Sequence, residues 1–175
     1  SGAMLFDSTG KLTYAPNNLL TQSNTFSNAA WQDVVGGSGT SPVLTSGFTD
    51  PSGGANAWRL QANRGASASS YSMRGYYNPP ILSNGYAVET LWIKSNTGSS
   101  QTITVANGYR AGGGTFTATT SWQQISFRTQ ASGTQITISV GTQNLEGENY
   151  GATSDQAIDV LIYAATLSAV TYETS

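Results

Sequence analysis

The feature that most restricts this chain is a rhythm. Short runs of alternating apolar and polar residues recur along it, and each ends in a cluster of Gly, Asn, Pro or Ser. No stretch keeps the three-to-four-residue apolar spacing of an amphipathic helix. Period-two alternation places successive side chains on opposite faces, which is the pattern of a half-buried strand. Strands are predicted over residues 41–45, 57–62, 69–74, 86–94, 101–106, 115–119, 122–129, 134–140 and 157–167. Turns are expected at Asp50-Pro51-Ser52-Gly53-Gly54, Asn78-Pro79-Pro80, Asn84-Gly85, Asn107-Gly108, Gly112-Gly113-Gly114 and Ser132-Gly133. Many short strands at this spacing predict an all-β chain, an antiparallel β-sandwich with jelly-roll connections.

Alternation also assigns faces. Leu91 and Ile93 share one side of their strand, and Thr90, Trp92 and Lys94 the other. Ile125 and Phe127, Ile136, Ile138 and Val140, and Ile103 and Val105 repeat the pattern. The aliphatic sides belong in the core, where each fully buried large side chain contributes roughly 1.5–3 kcal/mol. The opposite sides are rich in small hydroxyls, with an occasional aromatic or cation.

Only 9% of the 175 residues are charged and the net charge is −2. The seven cations are scattered, which disfavours nucleic acid, since binding it needs several phosphates neutralised on one face. No apolar run reaches membrane-spanning length, so no membrane insertion is expected. The chain lacks cysteine and histidine. Disulfides, thiolate zinc sites and histidine-based hydrolysis are thereby excluded. Ser1-Gly2-Ala3-Met4 reads as a cloning scar, with residues 5–175 a single domain excised from a longer protein.

Carboxylate pairs could still support glycoside hydrolysis. Asp33, Asp50, Glu89 and Asp159 are the isolated candidates, and nothing in their spacing places two across a cleft. The segment LEGENYGATSD offers Glu146, Glu148 and Asp155 as weak ligands for a structural Ca²⁺, because hard cations take oxygen-rich loops. No cofactor is required.

Aromatics give the better lead. A sugar ring stacks its C–H face on Trp or Tyr, while amides, hydroxyls and Arg bond its hydroxyls. Trp92 stands on a non-aliphatic face. Tyr71, Arg74, Tyr76, Tyr77 and Asn78 crowd one strand and the loop after it, and Tyr109 and Arg110 lie in a Gly-rich loop. These eight are the candidate ligand-binding residues. Trp31 and Trp122 read as structural rings at junctions. Trp58 fits either role.

The run NNLLTQSNTFSNAAW, residues 17–31, has no acid, base or cation. Leu19, Leu20, Phe26 and Trp31 are expected to pin an irregular first strand to the core. The run also resembles the opening of a domain recurrent in tailed-phage virion proteins and in prophage and gene-transfer-agent proteins. That family tends to begin Asn-Leu-Leu, a Ser-rich spacer, Phe, then Asn-Ala-Ala-Trp. DPSGGANAWRLQ, ETLWIKS, SWQQISF and LIYAATLSAVTYETS resemble the family's later segments in the same order. Trp58, Ala164, Thr166 and Ser168 depart from its pattern. The resemblance implies a jelly roll like carbohydrate-binding-module and galactose-binding-like domains, carried on tail fibres, tail spikes or head fibres.

Together these features predict a non-catalytic glycan-binding domain at a virion surface, acting outside the cell on bacterial surface polysaccharide. Other virion proteins are its expected partners, with oligomers formed through the parent protein. The rival is a purely structural capsid-decoration or fibre-assembly module. A glycoside hydrolase is the remote alternative.

Overall fold

Strands form most readily where apolar side chains recur every second residue, and among the described residues twelve strands pair. We describe a computed structural model covering residues 4–6, 12–14, 18–77, 86–107, 111–130, 136–144 and 153–170, with side chains for 18–77, 88–106, 114–127, 138–144 and 153–168. The elements are β1 (Met4–Phe6), β2 (Leu12–Tyr14), β3 (Trp31–Gly36), β4 (Thr40–Phe48), β5 (Ala57–Asn63) and β6 (Tyr71–Tyr77). They continue with β7 (Tyr86–Ser95), β8 (Gln101–Asn107), β9 (Ala111–Ala118), β10 (Gln123–Gln130), β11 (Ile136–Gln143) and β12 (Ala157–Val170). β1 and β2 make a small antiparallel ribbon. The rest build two five-stranded sheets, sheet I in the order β10-β7-β12-β5-β4 and sheet II in the order β3-β6-β11-β8-β9. Every pairing is antiparallel. The chain passes repeatedly between the sheets, as a jelly-roll sandwich does.

The core lies between the sheets. Leu60, Leu91, Ile93, Ile125, Val160, Ile162 and Leu167 of sheet I face Trp31, Tyr76, Ile103, Val105, Ile138 and Val140 of sheet II. These are the aliphatic faces that alternation picked out.

Several expectations need correction. β3, a regular strand that follows the irregular entry stretch, was not among the predicted strands. The glycines 112–114 lie inside β9, not in a turn. Its partner β8 pairs Val105 with Gly114, so glycine here removes side chains from a strand. The predicted strand 134–140 is displaced, and β11 spans Ile136–Gln143. The short ribbon β1–β2 was not predicted. Of the expected turns, residues 78–80, 84–85, 108 and 132–133 lie outside the described residues.

The opening stretch has a definite role. Leu20, Phe26 and Trp31 are buried, and Leu19 packs against the same core. β12 carries a bulge between Tyr163 and Thr166 on its β7 side, with Ala164 at φ 50°. Beyond Ile162, β5 no longer pairs with β12, and residues 18–24 take over that edge. Leu19 N–H donates to Leu167 O (2.8 Å), and Leu167 N–H to Asn18 Oδ1 (3.0 Å). Ala165 N–H donates to Ser23 O (3.1 Å), and Ala164 N–H to Asn24 Oδ1 (2.7 Å). The same turn accepts two indole protons, Trp31 Nε1–H at Gln22 O and Trp58 Nε1–H at Asn24 O, both at 2.8 Å. Trp58 packs against the core, which makes it a structural ring.

Candidate functional site

The described candidate binding residues divide among surfaces that cannot contact one ligand together. Within β6, alternation sends Tyr71, Met73, Gly75 and Tyr77 outward from sheet II, and Arg74 and Tyr76 inward. Tyr76 is 3% exposed, meets Trp31 edge to ring at 5.2 Å, and its hydroxyl lies 2.9 Å from Thr21 Oγ1. Arg74 donates to Asp33 Oδ1 (2.6 Å) and to Phe26 O (3.0 Å). These two residues fasten the 21–33 segment onto β6 and present no free stacking face or donor fork outward. Trp92 is on the outer face of sheet I, on the far side of the molecule. Asn78, Tyr109 and Arg110 lie outside the described residues, as do Glu146 and Glu148. Asp155 is exposed and accepts Thr102 N–H at 2.8 Å.

Register extends the outer face of sheet II across all five strands. Val34 is opposite Met73, and Gly36 opposite Tyr71. Ser139, Gly141 and Gln143 of β11 are opposite Gly75, Met73 and Tyr71. Ala106 and Thr104 of β8 follow, opposite Ser139 and Gly141. Thr115 and Thr117 of β9 complete the rows, opposite Thr104 and Thr102. One half of the face is therefore aromatic and apolar, and the other half is a ladder of hydroxyls.

The floor of this face is closed. Met73, Ser139, Gln143, Thr104 and Ala106 are all buried. Tyr71 and Tyr77 pack onto Val34, Met73 and Ala106 and stay half-buried. The Tyr71 ring lies against Gly36, where any β-carbon would collide with its Cζ, Cε1 and hydroxyl. Gly141 is equally constrained, because a β-carbon there would collide with Ser72 O and Met73 Cα of the neighbouring strand. The missing side chain at Gly36 thus lets the Tyr71 ring settle low on the sheet, while Gly141 lets β11 lie close to β6. Thr102 is half-buried, and Thr115 and Thr117 are exposed on the hydroxyl side. Thr104 Oγ1 is buried without a hydrogen-bond partner. Single-strand alternation had missed Met73, Gln143, Ser139 and this threonine ladder as one surface. Only cross-strand register joins residues so distant in sequence.

The described carboxylates are individually engaged or enclosed. Asp159 accepts Arg59 at 2.8 and 2.5 Å and Asn96 Nδ2–H at 3.0 Å, and the Arg59 bond holds its carboxyl below the usual range. Asp50 caps its own turn through Asn56 Nδ2–H (2.7 Å), Ser52 N–H (2.8 Å) and Gly54 N–H (3.1 Å), and the Asn56 bond lowers its pKa. Asp33 pairs with Arg74, and Glu89 is inside the core.

No protein-family model and no curated protein matches the chain. Solved structures do. The family 11 carbohydrate-binding module of a Clostridium thermocellum cellulosomal cellulase is similar at TM-score 0.52 and 13% identity, covering 92% of this chain and 98% of that one. The Clostridium thermocellum family 11 module bound to a β-1,3-1,4-mixed-linked tetrasaccharide gives TM-score 0.53 at 14% identity, covering 89% and 97%. A tailspike protein of bacteriophage CBA120, solved as its enzymatically active domain, gives 0.51 at 9%, covering 87% of this chain and 21% of that one. At such identities the likeness is one of fold. The chain is an antiparallel β-sandwich of the jelly-roll kind found in carbohydrate-binding modules.

Proposed function

We propose that this chain is a non-catalytic glycan-binding domain whose site is the outer face of sheet II. One observation carries the reading: Tyr71 and Tyr77 pack onto Val34, Met73 and Ala106 on one half of a face whose other half is rich in threonine. Six residues apart on one strand, the two tyrosines have Cα atoms roughly 20 Å apart, a span that could hold more than one ring of an extended saccharide. Packing fixes both rings before a ligand arrives, which lowers the cost of binding. Because the floor is closed, a sugar meets the rings and the exposed threonines, with hydroxyls on the β9 side replacing water.

The neighbouring carbohydrate-binding modules support this ligand class. The ordered resemblance to virion domains and the tailspike neighbour support a phage-type parent that adheres to bacterial surface polysaccharide. Several weak copies on one particle would then raise the overall avidity. The test is a glycan array followed by titration with capsule and lipopolysaccharide oligosaccharides. Binding that Tyr71→Ala and Tyr77→Ala each weaken at least tenfold, about 1.4 kcal/mol, is expected. No binding at millimolar sugar, together with a stable oligomer that buries this face, would instead make the chain an assembly module.

A further inference from the structure

Sheet I has an outer face of different chemistry, on the opposite side of the sandwich from the sheet II face. Leu91, Ile93 and Ile162 point into the core, so Trp92 and Tyr163 point out. They stand opposite each other on β7 and β12, and Gln124 of β10 is opposite Trp92 on its other side. Amide, indole and phenol therefore form one row across three strands. In the next row Lys94 is opposite Leu161, which is opposite Arg59. Leu161 is only 5% exposed, so this row is a covered apolar patch with a cation on either side. The two cations differ. Arg59 is neutralised by Asp159. Lys94, two residues from Trp92 on the same face, has no ion-pair or hydrogen-bond partner among the described residues.

We propose that this face is a second, independent saccharide site, selective for acidic sugars that carry a carboxylate. Trp92 and Tyr163 supply the stacking surface, and Gln124 bonds ring hydroxyls. The unpaired ammonium of Lys94 meets the carboxylate of a uronic acid stacked on Trp92. The overall charge of −2 makes the location of this cation informative. A purely neutral ligand would have no use for it, while an anionic one needs it to offset repulsion from the rest of the molecule. Two sites on opposite faces would let one domain bridge two polysaccharide chains.

The test is an ¹⁵N-detected titration of the intact chain with three probes: oligogalacturonate, alginate oligosaccharide and a hyaluronan tetrasaccharide. Methyl-esterified oligogalacturonate is the neutral control. At least one acidic probe is expected to shift Trp92, Lys94 and Tyr163 resonances. Trp92→Ala should abolish this. Lys94→Gln should weaken it about fivefold at low salt, as should raising the salt. Tyr71→Ala should leave it unchanged, which separates this site from the sheet II site. Failure of all three probes at millimolar concentration would overturn the proposal. So would equal affinity for the methyl ester, or shifts that grow with protein concentration alone and mark the face as a self-contact.

Discussion

Glu89 is the residue most at odds with its surroundings. It points into the core from β7, between Phe127 on β10 and Leu167 on β12, with no exposure and neither oxygen bonded. Burial pushes its carboxyl from 4.5 up to about 9. Between those values the folded chain keeps a proton that the unfolded chain has released. Stability must therefore fall as pH rises through this window, by at most about 1.4 kcal/mol per unit, and level off above it. Glu89→Gln should flatten the profile, so that urea unfolding at about pH 5, 7 and 9 gives one midpoint where the parent gives three. A flat parent profile would contradict the assignment. Thr104 makes a smaller case of the same kind. Replacing its unpartnered hydroxyl by Thr104→Val should stabilise the free protein by about 1 kcal/mol, measured by thermal unfolding. The sequence made Glu89 legible in one respect only. Parity aligns it with Leu91 and Ile93, but the sequence offered it only as an isolated carboxylate, and the fold shows that the core side prevails.

At the scale of elements, glycine decides how the sheet II face is built. Gly36→Ala would push the Tyr71 ring aside without touching the core. Its expected signature is an unchanged melting temperature with saccharide affinity reduced about fivefold, near 1 kcal/mol. Gly141→Ala is different, because its collision is with backbone on β6. It should cost about 2 kcal/mol or more and lower the unfolding midpoint. Trp31→Ala, which empties the joint between β3, β6 and the opening stretch, should cost about 3–5 kcal/mol by the same measurement. Strands with an aliphatic face were readable because their period is two. β3 escaped because only Trp31 and Val34 are buried, a spacing of three on an edge strand. β9 escaped because its glycines mimic a turn. Bulges in β4, β11 and β12 reset the parity in mid-strand, and no local pattern announces them.

At the scale of the molecule, the sandwich separates what proximity in sequence had joined. Residues 71–77 looked like one cluster, yet alternate members serve the core and the solvent. Trp92 and Tyr71 looked like members of one site, yet they occupy opposite outer faces. The sandwich was legible from alternation, but the make-up of the proposed face was not, because it depends on the pairing of β3, β6, β11, β8 and β9. The central claim is that the outer face of sheet II binds glycan. It is tested most directly by chemical-shift mapping of the labelled chain during titration with a neutral surface-polysaccharide oligosaccharide. Saturable shifts centred on Tyr71, Tyr77, Thr102, Thr115 and Thr117 are expected, lost in the Tyr71→Ala, Tyr77→Ala double variant. Shifts centred elsewhere, or persisting in that folded double variant, would contradict it.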